Sequence, residues 1–185
     1  MIIALILIVL SSSTVFASDS SEYLAGIVYG PKAAFRIDAP ERWILDNKAG
    51  LPMGIHCVLY PVGGSWAHSP VVMYAAIADT SRRDINRFID YAVAEFKAED
   101  PDFKHHELKR GKVNTCDYIV MDYSNGAYQN FERVAYFQLE NAVAYVVLTS
   151  RTESDFRQKA DALLELIETF QPMPEYINYS PGEEP

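Results

Sequence analysis

The segment between Tyr60 and Pro70 contains the residue types of this chain that are best suited to chemistry. It places Ser65, Trp66 and His68 in a glycine-rich stretch between two apolar runs that predict buried strands. Binding residues often lie on loops that a rigid scaffold holds in place. These three side chains are therefore candidates for a ligand-binding site. The structural alternative is that Trp66 covers the edge of the sheet while His68 is solvated.

The sequence Gly63-Gly64-Ser65-Trp66-Ala67 differs by one residue from the G-x-S-x-G nucleophile elbow of serine hydrolases. That elbow needs a helix after the serine, whereas Ser69 and Pro70 precede a predicted strand. An exported hydrolase or metal-dependent enzyme that uses the 61–70 loop is the alternative function, with Ser65, His68 and an acidic residue in the catalytic roles. We assign no catalytic residue.

The chain has two cysteines, Cys57 and Cys116. His56 precedes Cys57, but neighbouring side chains of a strand point to opposite faces, so these two cannot form a Cys–His pair. Thiols of an exported protein are exposed to oxidation, and we predict a disulfide between Cys57 and Cys116. The alternative is that both are small buried hydrophobic side chains on different strands.

Residue types that ligate metals are concentrated near the end of the first predicted helix. Neither H-E-x-x-H nor C-x-x-C spacing is present, and closely spaced residues around a helix end cannot all converge on one ion. We therefore predict a polar helix terminus and an exposed edge strand, with no metal site and no cofactor. The residues concerned are Glu99, Asp100, Asp102, His105, His106 and Glu107.

Residues 1–17 predict a secretory signal that is cleaved after Ala17. Residues 2–10 form an unbroken apolar run, and Val15-Phe16-Ala17 has the small or branched residues of a cleavage site. A nine-residue helix is only about 14 Å long, roughly half a hydrocarbon core, so a membrane anchor is the weaker alternative. We expect an exported protein, periplasmic or secreted, without a transmembrane segment after cleavage.

The formal net charge of −9 lies entirely in the chain that follows the predicted signal. The chain is acidic and is taken to have no Lys/Arg cluster, which argues against binding nucleic acid or an anionic membrane surface. The predicted partner is therefore an envelope protein or a small ligand. The length fits one domain, and the predicted organisation is an N-terminal tether at 18–32, an α+β domain at 33–172 and a flexible acidic tail at 173–185.

Hydrophobic periodicity predicts a mostly antiparallel sheet of about seven strands with two long helices packed on it. Asn125-Gly126 and Glu140-Asn141 are turn signals within a predicted four-strand meander, whose apolar last strand is expected at the centre of the sheet. The predicted strands are 34–38, which 43–45 continue after a bend, 55–60, 71–77, 103–110, 113–123, 128–139 and 142–149. The first predicted helix follows a Ser81 cap and ends near Glu99, and the second follows a Thr152 or Ser154 cap and extends to Phe170.

The segment Phe35-Arg36-Ile37-Asp38-Ala39-Pro40-Glu41-Arg42-Trp43 resembles the F-x-I-x-x-P-x-x-W opening of PsbP-like proteins. The order of elements is similar over residues 33–171, and the resemblance implies an α/β/α sandwich. The family includes extrinsic subunits of the photosynthetic oxygen-evolving complex and exported bacterial proteins of unknown role. No functional residue carries over, and the expected function is a non-enzymatic module that binds a ligand or a partner.

Overall fold

A computed structural model describes residues 25–30, 33–78, 84–125 and 130–173. The predicted signal at 1–17 and residues 174–185 of the predicted tail lie outside the described residues. The described chain has ten strands and three α-helices. In chain order they are β1 (Ala25–Tyr29), β2 (Ala34–Asp38), β3 (Trp43–Asp46), β4 (Val58–Pro61), β5 (Val71–Ile77), α1 (Ile85–Glu99), β6 (Lys104–Val113), β7 (Cys116–Asn125), β8 (Asn130–Gln138), β9 (Val143–Ser150), α2 (Glu153–Lys159), α3 (Asp161–Glu168) and β10 (Gln171–Met173).

Seven strands form the main sheet in the order β3-β4-β5-β9-β8-β7-β6. Every neighbouring pair is antiparallel. Strands β6 to β9 lie side by side in chain order, which confirms the predicted meander. The apolar strand β9 is at the centre of the sheet, as expected for a strand that is buried on both faces.

A second sheet has three strands in the order β1-β2-β10. Strand β1 falls within the range 18–32, for which the sequence predicted a tether. The local signal is weak because Val28 is the one large side chain that β1 buries, while Gly26 lies against Leu45. A Cβ on Gly26 would be 2.7 Å from Leu45 Cδ2, so the backbone of β1 packs directly against the Leu45 side chain at this position.

The chain changes sheets between β2 and β3. Pro40 ends β2, and Arg42 has a positive φ of 63°, an uncommon conformation for a side chain other than glycine. Strand β3 consequently joins the main sheet beside β4. The Phe35–Trp43 segment therefore links the two sheets, whereas the sequence predicted that residues 43–45 continue the first strand.

Helix α1 has 15 residues and is the first amphipathic helix that the sequence predicted. Ser81, its predicted cap, lies outside the described residues. The N-cap of α1 is Asp84, whose side chain accepts a hydrogen bond from the Arg87 backbone amide at 2.9 Å. A second long helix is not confirmed, because the chain bends at Ala160 and forms α2 and α3 in its place. Thr152 caps α2 by accepting a hydrogen bond from the Asp155 amide.

The helices cover opposite faces of the main sheet. The buried residues of α1 pack with Ile119, Tyr136 and Val147, and we call this side the α1 face. The buried residues of α2 and α3 and those of the second sheet pack with the alternate positions of the same strands, and we call this side the α3 face. No helix in the described part of the chain combines the length and apolar character needed to cross a bilayer.

Candidate functional site

The 61–70 loop is an ordered turn between β4 and β5. The backbone amide of Ser69 donates to the Ser65 carbonyl at 2.9 Å, and the Ser69 hydroxyl accepts from the Ser65 amide at 3.0 Å. A Cβ on Gly64 would lie 2.2 Å from this hydroxyl, so a larger residue there would push the Ser69 side chain away from the Ser65 amide. Trp66 and Ser65 are half-buried, and His68 is exposed.

The surroundings of Ser65 and Cys57 differ from those of enzymatic nucleophiles. The element that follows Ser65 is strand β5, whereas a nucleophile elbow requires a helix at this point. Burial raises the pKa of the Cys57 thiol to about 12, so the thiol is protonated at neutral pH. Since the thiolate is the reactive form, Cys57 is suited to packing.

The structure does not bring Cys57 and Cys116 together. Cys57 precedes β4 and Cys116 begins β7, and three strands lie between β4 and β7. Four strand spacings amount to about 19 Å, whereas a disulfide needs Cα atoms roughly 4.4–6.8 Å apart. Both thiols are free and buried, which corrects the predicted pairing. Sequence periodicity shows that both segments are buried but does not give the lateral order of the strands.

The acidic and histidine residues after α1 are dispersed by the strand geometry. Buried Asp100 accepts a hydrogen bond from the Asp102 amide at 2.9 Å and so closes a turn. His105 stacks on Phe103 on the α1 face, and burial lowers its pKa. His106 lies on the α3 face. Among the described residues no group of three His, Cys, Asp or Glu side chains could hold a metal ion.

Strand β6 is a positively charged edge on an acidic molecule. It is the last strand of the main sheet, and nine of its ten residues are exposed or half-buried. Four of the ten residues are basic and one, Glu107, is acidic, while the whole chain carries −9. The basic residues are Lys104, Lys109, Arg110 and Lys112, and we call them together the β6 edge.

The sequence analysis missed the β6 edge because it took the chain to have no Lys/Arg cluster, and residues 104–112 show that this was wrong. The signal was available, because residues 104–112 contain four Lys or Arg residues within nine positions. It was obscured by the net charge, which averages over acidic residues elsewhere in the chain. Strand β6 also has a register shift between Glu107 and Lys109, and basic residues together with a bulge are devices that prevent edge strands from pairing with other strands.

A cleft of about 400 Å³ lies between α2 and the ends of β6, β7 and β8. Its floor includes Arg133, whose Nε lies 2.7 Å from Asp122 Oδ1 and whose second terminal nitrogen lies 2.9 Å from Oδ2. This bidentate ion pair raises the pKa of Arg133. Lys104 lines the same cleft, together with the ion pair between Arg157 and Glu153.

Two solved structures resemble this chain in fold, at low sequence identity. The chain is similar to the structure of LpqN of Mycobacterium tuberculosis, described as involved in cell envelope biogenesis, with 14% identity, a TM-score of 0.50, and coverage of 81% of this chain and 91% of LpqN. It is also similar to cyanobacterial PsbP from Synechocystis sp. PCC 6803, with 10% identity, a TM-score of 0.50, and coverage of 84% and 96%. No protein-family model and no curated protein matches the chain. The resemblance to PsbP is thus confirmed at the level of the fold.

Proposed function

We propose that this protein is an exported, non-enzymatic binding module of the cell envelope that docks an acidic partner protein through the β6 edge. The observation that carries the proposal is the concentration of exposed basic side chains on one edge of an acidic molecule. Opposite charges on two surfaces steer their encounter and suppress wrong partners. An acidic face on the partner is the complement of this edge.

The geometry of β6 favours contact through side chains. A strand that recruits a partner strand presents a flat, regular row of backbone groups, and the register shift at Leu108 interrupts that row. Lys109 also lies over the ring of Tyr118 at 5.8 Å, which holds its ammonium group on the α3 face. We therefore expect the β6 edge to contact a partner through its charged side chains and not through its backbone.

Export is supported by the signal pattern and by the fold shared with LpqN, a protein described as involved in cell envelope biogenesis. We expect the protein recovered from the exported fraction to begin at Ser18, because cleavage follows Ala17. Intact mass measures this directly. A mass that still includes residues 1–17 would contradict cleavage and export in the proposed form.

The β6 edge is tested by the triple variant Lys104→Glu, Lys109→Glu and Lys112→Glu. The probe is a fluorescently labelled oligo-glutamate peptide at low salt, and we expect at least about a tenfold loss of affinity together with a weaker salt dependence. The peptide stands for an acidic protein segment. Fluorescence anisotropy gives the dissociation constant for each variant.

A matched control separates location from net charge. The variant Lys48→Glu, Arg151→Glu and Lys159→Glu changes the charge by the same amount at exposed positions away from β6, and we expect its affinity to stay within about twofold of the original. Equal losses in both variants would refute a docking edge. Binding to phosphatidylglycerol vesicles but not to the peptide would replace the acidic protein with a membrane surface.

The 61–70 loop is our second candidate for ligand contact, and the fixed turn around Gly64 supports it. Ser65, Trp66 and His68 are close in sequence on this loop, and their exposure differs: Trp66 is half-buried and His68 is exposed. An aromatic side chain at the border of a buried strand pair could contact a small ligand through its free face.

A further inference from the structure

Glu132 is a half-buried carboxyl group on the α1 face, in the interior of the main sheet. In β8 it lies directly opposite Tyr123 of β7 and Thr149 of β9. It accepts hydrogen bonds from the Thr149 hydroxyl and from Asn130 Nδ2, the latter at 2.8 Å. Burial raises the pKa of the Glu132 carboxyl group, and the two neutral donors offset this rise only in part.

The described residues supply no basic side chain to Glu132 in an ion pair. The neighbouring turn at 126–129 contains no Lys or Arg. Outside the described residues the basic side chains are Lys32, Arg82 and Arg83.

A second acceptor beside Glu132 also lacks a donor. Asn130 Oδ1 is buried and accepts no hydrogen bond. The orientation of the amide is fixed, because Asn130 Nδ2 donates to Glu132 Oε1. A primary ammonium group would satisfy both acceptors, because it offers three donors and a positive charge.

Three tyrosines of the α1 face belong to the electrostatic surroundings of Glu132. Tyr123 and Tyr136 share a hydrogen bond of 3.0 Å between their hydroxyl groups. Burial raises the pKa values of Tyr123, Tyr136 and Tyr74, and the negative charge of Glu132 adds to the rise.

We infer that Glu132 and Asn130 form a binding site for a primary alkylammonium group, with the neighbouring tyrosines as its walls. The site lies on the α1 face and is independent of the β6 edge, so either can fail without the other. Glu132, Asn130, Thr149 and Tyr74 each retain some exposure, which leaves a route for a small ligand. A free amine, a lysine side chain and an ethanolamine headgroup share this chemistry.

The test is an NMR titration of the whole protein with n-butylammonium, followed at the tyrosine ring signals. We expect saturable shifts with a millimolar dissociation constant and none with 1-butanol, which has the same chain without the charge. Glu132→Gln should weaken binding at least about tenfold. Glu165→Gln, at an exposed position of α3, should leave binding unchanged. Phosphoethanolamine and Nα-acetyl-lysine amide distinguish a headgroup from a lysine side chain.

Asn130→Leu provides a second variant in case Glu132→Gln alters the fold. It should weaken n-butylammonium binding but leave tetramethylammonium, which has no donors, unaffected. Absence of binding to every ammonium probe would overturn the inference and identify Glu132 as a neutral buried acid. Equal binding by Glu132→Gln, or binding of Mg²⁺ in place of the ammonium probes, would overturn it as well.

Discussion

Arg133→Met should lower the free energy of unfolding by about 3–5 kcal/mol. The variant removes both hydrogen bonds to Asp122 and the longer contact with Asp161 at 3.4 Å. The side chains of Arg133 and Asp122 are 10% and 14% exposed, so the carboxylate would remain largely desolvated without a partner. Urea denaturation followed by circular dichroism measures the loss.

Two controls separate the broken ion pair from a general effect of replacing arginine. Asp122→Leu combined with Arg133→Met removes both charges, and we expect it to recover most of the lost stability. Arg36→Met breaks the exposed pair with Asp38 and should cost less than about 1 kcal/mol. Equal losses for Arg36→Met and Arg133→Met would contradict the role of burial.

Much of the fold follows from local sequence patterns. The one-sided periodicity of residues 85–96 predicts α1, and the apolar run in β9 predicts its central position, because both signals reflect burial at each residue. The second sheet does not follow from such patterns. Strand β10 has three residues and pairs with β2 across 135 positions of the chain, so its partner depends on tertiary packing.

The candidate sites depend on lateral strand order, which one sequence does not give. Cys57 and Cys116 are both free and buried, which was the alternative to the predicted disulfide, because three strands lie between β4, which follows Cys57, and β7, which begins at Cys116. Arg133, Asp122 and His106 become neighbours on one face because β6, β7 and β8 are adjacent in the sheet. By contrast, the basic run at 104–112 is contiguous, and a local charge count would have found it.

The side chain of Phe170 packs between the two sheets. Its ring is parallel to Phe137 of the main sheet, with a centroid distance of 3.8 Å, and stacks on Phe35 of the second sheet at 4.9 Å. All three side chains have no exposed surface. The Phe170 carbonyl also accepts a hydrogen bond from Asn114 Nδ2, which fixes the start of β10 beside the β6–β7 turn.

Phe170→Ala should therefore lower the free energy of unfolding by about 3–5 kcal/mol, because it opens a cavity between two packed layers. Phe170→Leu, which retains most of the volume, should cost about 1–2 kcal/mol. Phe88→Ala is the control, because Phe88 on the α1 face is half-buried, and it should lower the free energy of unfolding by less than Phe170→Ala does. Hydrogen exchange adds a spatial readout: amides of β2 and β10 should lose protection in Phe170→Ala before those of β8 and β9. Uniform loss across both sheets would show that Phe170 stabilises the core generally, without a specific role between the layers.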